Sequence, residues 1–210
     1  MDHLTGKLNG LDWVSAPDNV RKKIIDAASI LYARKGFADT SLQEISENAG
    51  VSRSVTRHYV KTKSEIMRMI MEDVLTIFHE NLVRMIKGID DPKEKLTAAL
   101  YIYLTVVDQQ REKALLIYQK SSSLDRASKS RVMQLEVDVS NIFAKIISQG
   151  IEQGVFKEVD VDLMAFDIMM LAHMWALKRW HFKNRLNLDK YFKLQLEIVM
   201  DALEKKERSP

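Results

Sequence analysis

Helix-start and helix-stop signals alternate along the whole chain, and nothing between them reads as a strand. Ser41 with Glu44 and Thr62 with Glu65 are capping-box pairs, in which the hydroxyl and the carboxylate each satisfy one free N–H of a first turn. Asp91-Pro92 supplies an N-cap followed by a proline at the first helical position, where no N–H is needed. Gly36, Gly50, Gly88 and Gly154 stand where the apolar periodicity of a segment runs out. With seven glycines and three prolines in 210 residues, turn formers are too scarce for a many-stranded sheet. The expected fold is all-α, with about nine helices. Pro17-Asp18 starts the first, the run Ile24, Ile25, Ala28, Leu31 and Tyr32 gives its apolar face, and Gly36 ends it. Others are expected over 41–50, 52–58, 62–87, 91–108, 110–122 and 128–153, then from Asp160, and over 188–206, with a Ser-rich loop at 121–130.

A hydrophobic content of 46% is ample for a core, and a net charge of +3 is too mild to name a partner by itself. The chain has no cysteine, which excludes disulfides and thiolate metal sites. Met1 to Asp12 lacks the apolar segment of a signal peptide, and Leu163 to Leu177 is interrupted by Asp167 and His173 and is short for a membrane span. The expected location is the cytoplasm, with no membrane partner, cofactor or metal.

Charge becomes informative where it concentrates. Gly50 to Lys63 holds Arg53, Arg57, His58, Lys61 and Lys63 with no acid. Residues 41–58 read as helix, tight glycine turn, helix, with Ser52 as N-cap of the second. A short helix carrying Arg, Ser and Thr at its start suits insertion into a DNA major groove, while cations beside it neutralise phosphates. A basic αα-corner on a solvated surface remains the alternative. Val51, Val55 and Tyr59 are expected to be able to pack inward.

The stretch from Arg21 to Ile66 resembles the N-terminal domain of the TetR family of regulators. The shared landmarks are the Ala27-Ala28 pair, Gly36-Phe37, Thr40-Ser41, Ala49-Gly50-Val51-Ser52 and Lys61-x-Lys63-x-Glu65-Ile66. The resemblance implies that Ser52, Arg53, Ser54, Thr56, Arg57 and His58 lie on a recognition helix, and that Thr40, Gln43, Tyr59 and Lys63 touch phosphates. Ser54, Thr56 and Arg57 depart from the family's usual glycine, apolar residue and tyrosine, which leaves the operator sequence open. The implied organisation is an arm over 1–16, a DNA-binding domain over 17–62, and a sensing and dimerisation domain over 63–210. The implied function is a ligand-responsive repressor acting as a homodimer on a palindromic operator.

In the second domain function is argued from residues, because fold alone does not specify it. Met164, Met169, Met170 and Met174 with Phe166, Trp175, Trp180 and Phe182 could line an adaptable pocket, or form ordinary core. Tyr101, Tyr103, Tyr118 and Phe143 are comparable candidates, and His173 is either a ligand donor or a satisfied core histidine. Lys178, Arg179 and His181 beside the tryptophans suit an amphipathic anion such as a fatty acid or acyl-CoA. Phe192, Leu196, Val199 and Leu203 give the last helix an apolar stripe, expected at a four-helix dimer seam unless it packs on its own subunit.

Two other functions compete. An enzyme finds little support: there is no HExxH, no phosphate loop and no cysteine nucleophile, and the histidines are scattered at 3, 58, 79, 173 and 181. A helical adaptor whose basic corner binds an acidic protein would be told apart by its failure to bind a defined DNA duplex.

Overall fold

The computed structural model describes residues 19–120 and 124–205. The expected arm over 1–16, the Pro17-Asp18 start and residues 121–123 of the expected loop lie outside these. Within them the chain forms ten helices and no strand: α1 Val20–Lys35, α2 Leu42–Asn48, α3 Arg53–Tyr59, α4 Lys63–Met85, α5 Pro92–Gln109, α6 Arg111–Lys120, α7 Arg126–Glu152, α8 Val161–Leu177, α9 Arg179–Phe182 and α10 Leu188–Leu203.

Local chemistry explains most boundaries. Asn19 caps α1 by accepting the Lys22 N–H at 2.9 Å. Ser41 and Glu44 form the reciprocal box that opens α2, and Ser52 accepts the Val55 N–H at the start of α3. Thr62 accepts from Glu65 N at 3.1 Å, but the Glu65 carboxylate reaches back one residue further than expected, to the Lys61 N–H. Asp91 and Asp160 cap α5 and α8. Asp125 accepts the Ser128 N–H, so α7 begins two residues earlier than expected. Gly50, at φ 64°, makes the left-handed turn between α2 and α3 that a side chain would strain. The tenth helix arises because Lys178, at φ −114° and ψ 20°, interrupts the expected eighth helix, leaving α9 as a separate turn.

The described residues pack as two compact units: 19–77 with 110–136, and 78–109 with 137–205. Helices α4 and α7 each run through both. In the first unit α6 lies on α1, where an ion pair holds it. Lys113 Nζ lies 2.9 Å from Asp26 on α1 and 3.2 Å from Asp73 on α4. The first unit's core is Ile24, Ile25, Ala28, Tyr32, Ile45, Val60, Ile66 and Ile70. In the second unit α5 is buried along nearly all its length, from Leu96 to Val107, and packs on α8 and α10. Gly150 is required here: a Cβ at that position would lie 2.1 Å from the ring of Phe156.

Candidate nucleic-acid interface and effector region

The α2–α3 pair is built around one buried inward contact. Ser46 Oγ on α2 lies 2.8 Å from Thr56 Oγ1 on α3, and both side chains are buried. With about 100° per residue, an inward Thr56 aims Ser54 and His58 outward and places Arg57 and Val55 on the two flanks. Ser52, Arg53, Ser54, Arg57, His58, Tyr59 and, on α2, Gln43 are all exposed. Ser52 and Ser54 share a hydroxyl contact of 2.9 Å. From Asn48 to Ser64 there is no acid, so this surface presents cations and hydroxyl donors against a phosphate backbone.

Several expected contacts are placed otherwise. Thr56 is 1% exposed, so it positions the recognition helix and cannot reach a base. Thr40 is equally buried, and its hydroxyl donates to the Gly36 carbonyl at 2.8 Å. The Lys63 ammonium donates to the carbonyls of Phe37 and Ala38 at 2.7 and 2.8 Å and lies over the Phe37 ring, which ties α4 to the α1–α2 corner. Two of its three donors are thereby taken before any phosphate arrives. Val55 and Tyr59, expected inward, are exposed, because Thr56 and Val60 occupy the inward positions in their place.

The expected effector residues separate into three groups. Tyr103, Phe143 and His173 meet inside the second unit. Tyr103 Oη lies 2.7 Å from His173 Nε2, and the rings of Phe78 and Phe143 stand 4.5 and 5.5 Å from that of Tyr103. Burial pushes the His173 imidazole down to about 4, so the ring is neutral at neutral pH. Tyr101, also buried, packs edge-on against Phe192. Trp175 is buried and its indole N–H donates to Asp108 at 2.7 Å; Arg179 pairs with the same carboxylate and lies over the Trp175 ring. These five residues and Arg179 form packed interior and its margin.

Phe166, Met170 and Trp180 instead face outward. Met170 and Met174 line an apolar groove of about 480 Å³ between α8 and α10, with Met164, Leu171, Ile198 and Val199. Tyr118 belongs to the other unit, where it borders a smaller cavity with Met133 and Glu136, and is corrected out of the group. The expected dimer stripe is also corrected. Phe192, Leu196, Val199 and Leu203 are buried within their own chain, Leu196 to 1% exposure. The residues the sequence reading missed are Leu163 on α8 and Leu194 and Ile198 on α10, which with Phe166 and Met170 make an exposed apolar surface. An apolar residue two positions off a helix's buried stripe was the available signal.

The chain matches the family model "Bacterial regulatory proteins, tetR family" over residues 24–70 and the model "Tetracyclin repressor-like, C-terminal domain" over residues 89–184, together more than half of its length. It is 29% identical over 181 residues to the HTH-type transcriptional regulator HbdR of Aromatoleum sp. (strain CIB), covering 86% of this chain and 79% of that one. A bacterial regulatory protein in the tetR family from Rhodococcus RHA1 superposes with a TM-score of 0.79 at 18% identity, over 90% of this chain and 100% of the other. AibR, solved in complex with isovaleryl coenzyme A and operator DNA, superposes with a TM-score of 0.73 at 19% identity, over 86% and 97%. The helix-turn-helix built on Ser46 and Thr56, the all-helical second unit and both family matches converge: the chain belongs to the TetR family of transcriptional regulators.

Proposed function

We propose that the chain is a ligand-responsive repressor that binds a palindromic operator in cytoplasmic DNA as a homodimer and is released by an acyl-type effector. The observation that carries the DNA-binding part is the acid-free, exposed face of α3, where Arg53, Ser54, Arg57 and His58 stand free of the core while Thr56 anchors the helix. In this reading Arg57 and Arg53 would meet guanine edges or phosphates, Ser54 and His58 base edges, and Gln43 and Tyr59 the backbone. Residues 17–62 read DNA, and residues 63–210 sense the effector and dimerise through α8 and α10, two helices from each subunit.

The effector reading rests on the Tyr103–His173 pair, a polar contact enclosed by aromatic rings, and on the similarity to AibR. A carbonyl or thioester lodged there would accept a hydrogen bond that no apolar ring can give, and would displace α5 from α8. Helix α4, continuous through both packing units, carries such a displacement toward the operator-binding helices. Coupling of this kind is worth about 1–3 kcal/mol, so operator affinity falls roughly 5- to 150-fold on effector binding. Selection of a preferred duplex from random DNA, followed by titration with an acyl-CoA series, tests both halves. Failure to enrich any duplex overturns the DNA-binding reading, and indifference of the bound duplex to every acyl-CoA overturns the effector reading.

A further inference from the structure

The eight residues from Lys178 to Arg185 contain Lys178, Arg179, His181, Lys183 and Arg185 and no acid. They fold as an ordered turn: His181 N donates to the Lys178 carbonyl at 2.8 Å, Lys183 N to that of Arg179 at 2.9 Å, and Arg185 N to that of Phe182 at 2.8 Å. Phe182 anchors the turn, its ring 5.4 Å from Tyr191 and stacked parallel to Trp175. Trp180 does the reverse, and 70% of it stays exposed. Leaving so large an apolar ring in water is unfavourable, and among the described residues its ring partner is His181, edge-on at 5.5 Å, which leaves the indole face open. Around it Lys178, His181, Lys183 and Arg185 are exposed as well, while Arg179 leads inward to Trp175 and Asp108.

An aromatic face ringed by cations is complementary to a ligand that joins a flat ring to several phosphates. Base–aromatic stacking supplies the sequence-blind part of nucleotide affinity, and Lys and Arg supply the phosphate part. We infer that the Lys178–Arg185 turn binds the nucleotide head of a coenzyme A thioester, with the adenine stacked on Trp180 and the phosphates held by Lys183, Arg185 and Lys178. This rests on the acyl-CoA reading of the effector and names where its polar end sits. Arg179 joins the turn to Trp175 and Asp108, a contact between α8 and α5, the same two helices that the Tyr103–His173 pair links.

The test titrates full-length protein with free coenzyme A, with octanoyl-CoA and with octanoate, following tryptophan fluorescence and heat. Free coenzyme A is expected to bind the wild type, more weakly at high salt, whereas Trp180→Ala weakens it roughly tenfold or more and Lys183→Ala with Arg185→Ala lowers the salt dependence. Trp180 is exposed, so its variant keeps the fold, which circular dichroism and operator affinity verify. Octanoyl-CoA that binds and releases operator equally well in wild type and both variants overturns the head-group site and leaves the effector reading standing. Coenzyme A binding that depends on Trp180, with no effect of octanoyl-CoA on operator affinity, supports the site and overturns the effector reading. Binding of neither coenzyme A nor octanoyl-CoA, or binding of the turn to anionic vesicles alone, overturns the site.

Discussion

Ser46 on α2 and Thr56 on α3 bring their hydroxyls to 2.8 Å of each other in the buried seam of the DNA-binding helices. Each also has a backbone carbonyl in reach, Leu42 for Ser46 and Ser52 for Thr56, so the two protons have places to go. The contact fixes the rotation of α3 about its axis and hence which side chains meet DNA. Thr56→Val, nearly isosteric, is expected to cost about 0.5–1.5 kcal/mol of stability in denaturant titrations, the loss of one hydrogen bond, since the Ser46 hydroxyl keeps the Leu42 carbonyl. Base preference in a duplex panel should be retained. A changed preference at full stability would return Thr56 to the DNA surface.

Lys113 pairs with two carboxylates in the first unit, Asp26 and Asp73. Its side chain is 13% exposed and that of Asp73 only 5%, so Lys113→Met strands a carboxylate in the interior and is expected to cost about 3–5 kcal/mol. Lys113→Met with Asp73→Leu removes both charges and should recover most of that loss. Asp26 adds a pH signature. Burial raises its carboxyl, but the hydrogen bonds and charges of Lys113 and Lys22 outweigh this and hold it below the usual range. Its contribution is therefore present above the ordinary carboxylate range and is lost as pH falls through the lowered value. Unfolding curves across acid pH should show a smaller loss in Lys113→Met, and an unchanged acid profile would exclude the pair as a clamp.

The local signals of this chain were legible because capping is local. Ser41, Ser52, Asp91 and Asp160 each act on the backbone N–H three residues on, so the sequence shows both partners. The break at Lys178 carries no glycine or proline and depends on Phe182 turning back onto Trp175 and Tyr191, a tertiary cause. Thr40 and Thr56 read as polar and available because hydroxyl residues sit on either side of a helix, and only packing decides which. The same limit hid the apolar surface of α8 and α10. Periodicity identified the stripe through Leu196 and Val199 without saying whether the chain itself or a second copy covers it.

His173 makes acid stability a probe of the second unit. In an unfolded chain a histidine titrates near 6.5, whereas burial lowers this one to about 4. Between those values the unfolded state binds a proton that the folded state refuses, so stability falls as pH drops through that window and levels off below it. The full span corresponds to roughly 3 kcal/mol as an order of magnitude. His173→Asn keeps a polar group near Tyr103 without the titration and should flatten the profile between pH 6.5 and 4. A wild-type profile flat across that window would place the imidazole in water.

Two neighbouring apolar residues of α10 have opposite environments. Leu196 and Ile198 are two residues apart on α10, so they lie on opposite sides, and their exposures of 1% and 55% follow from that geometry. Leu196→Glu buries a charge with no partner and is expected to unfold the second unit. Ile198→Glu puts the same charge on the exposed surface shared with Leu163, Phe166, Met170 and Leu194, where an isolated chain tolerates it. If the proposed homodimer buries that surface against its own symmetry copy, two glutamates would approach each other across the axis and drive the subunits apart. Sedimentation of Ile198→Glu is therefore expected to show a folded monomer with near-native helicity, and operator affinity should fall by orders of magnitude because the two recognition helices are no longer joined. A variant that stays dimeric and binds operator normally would move the interface away from α8 and α10.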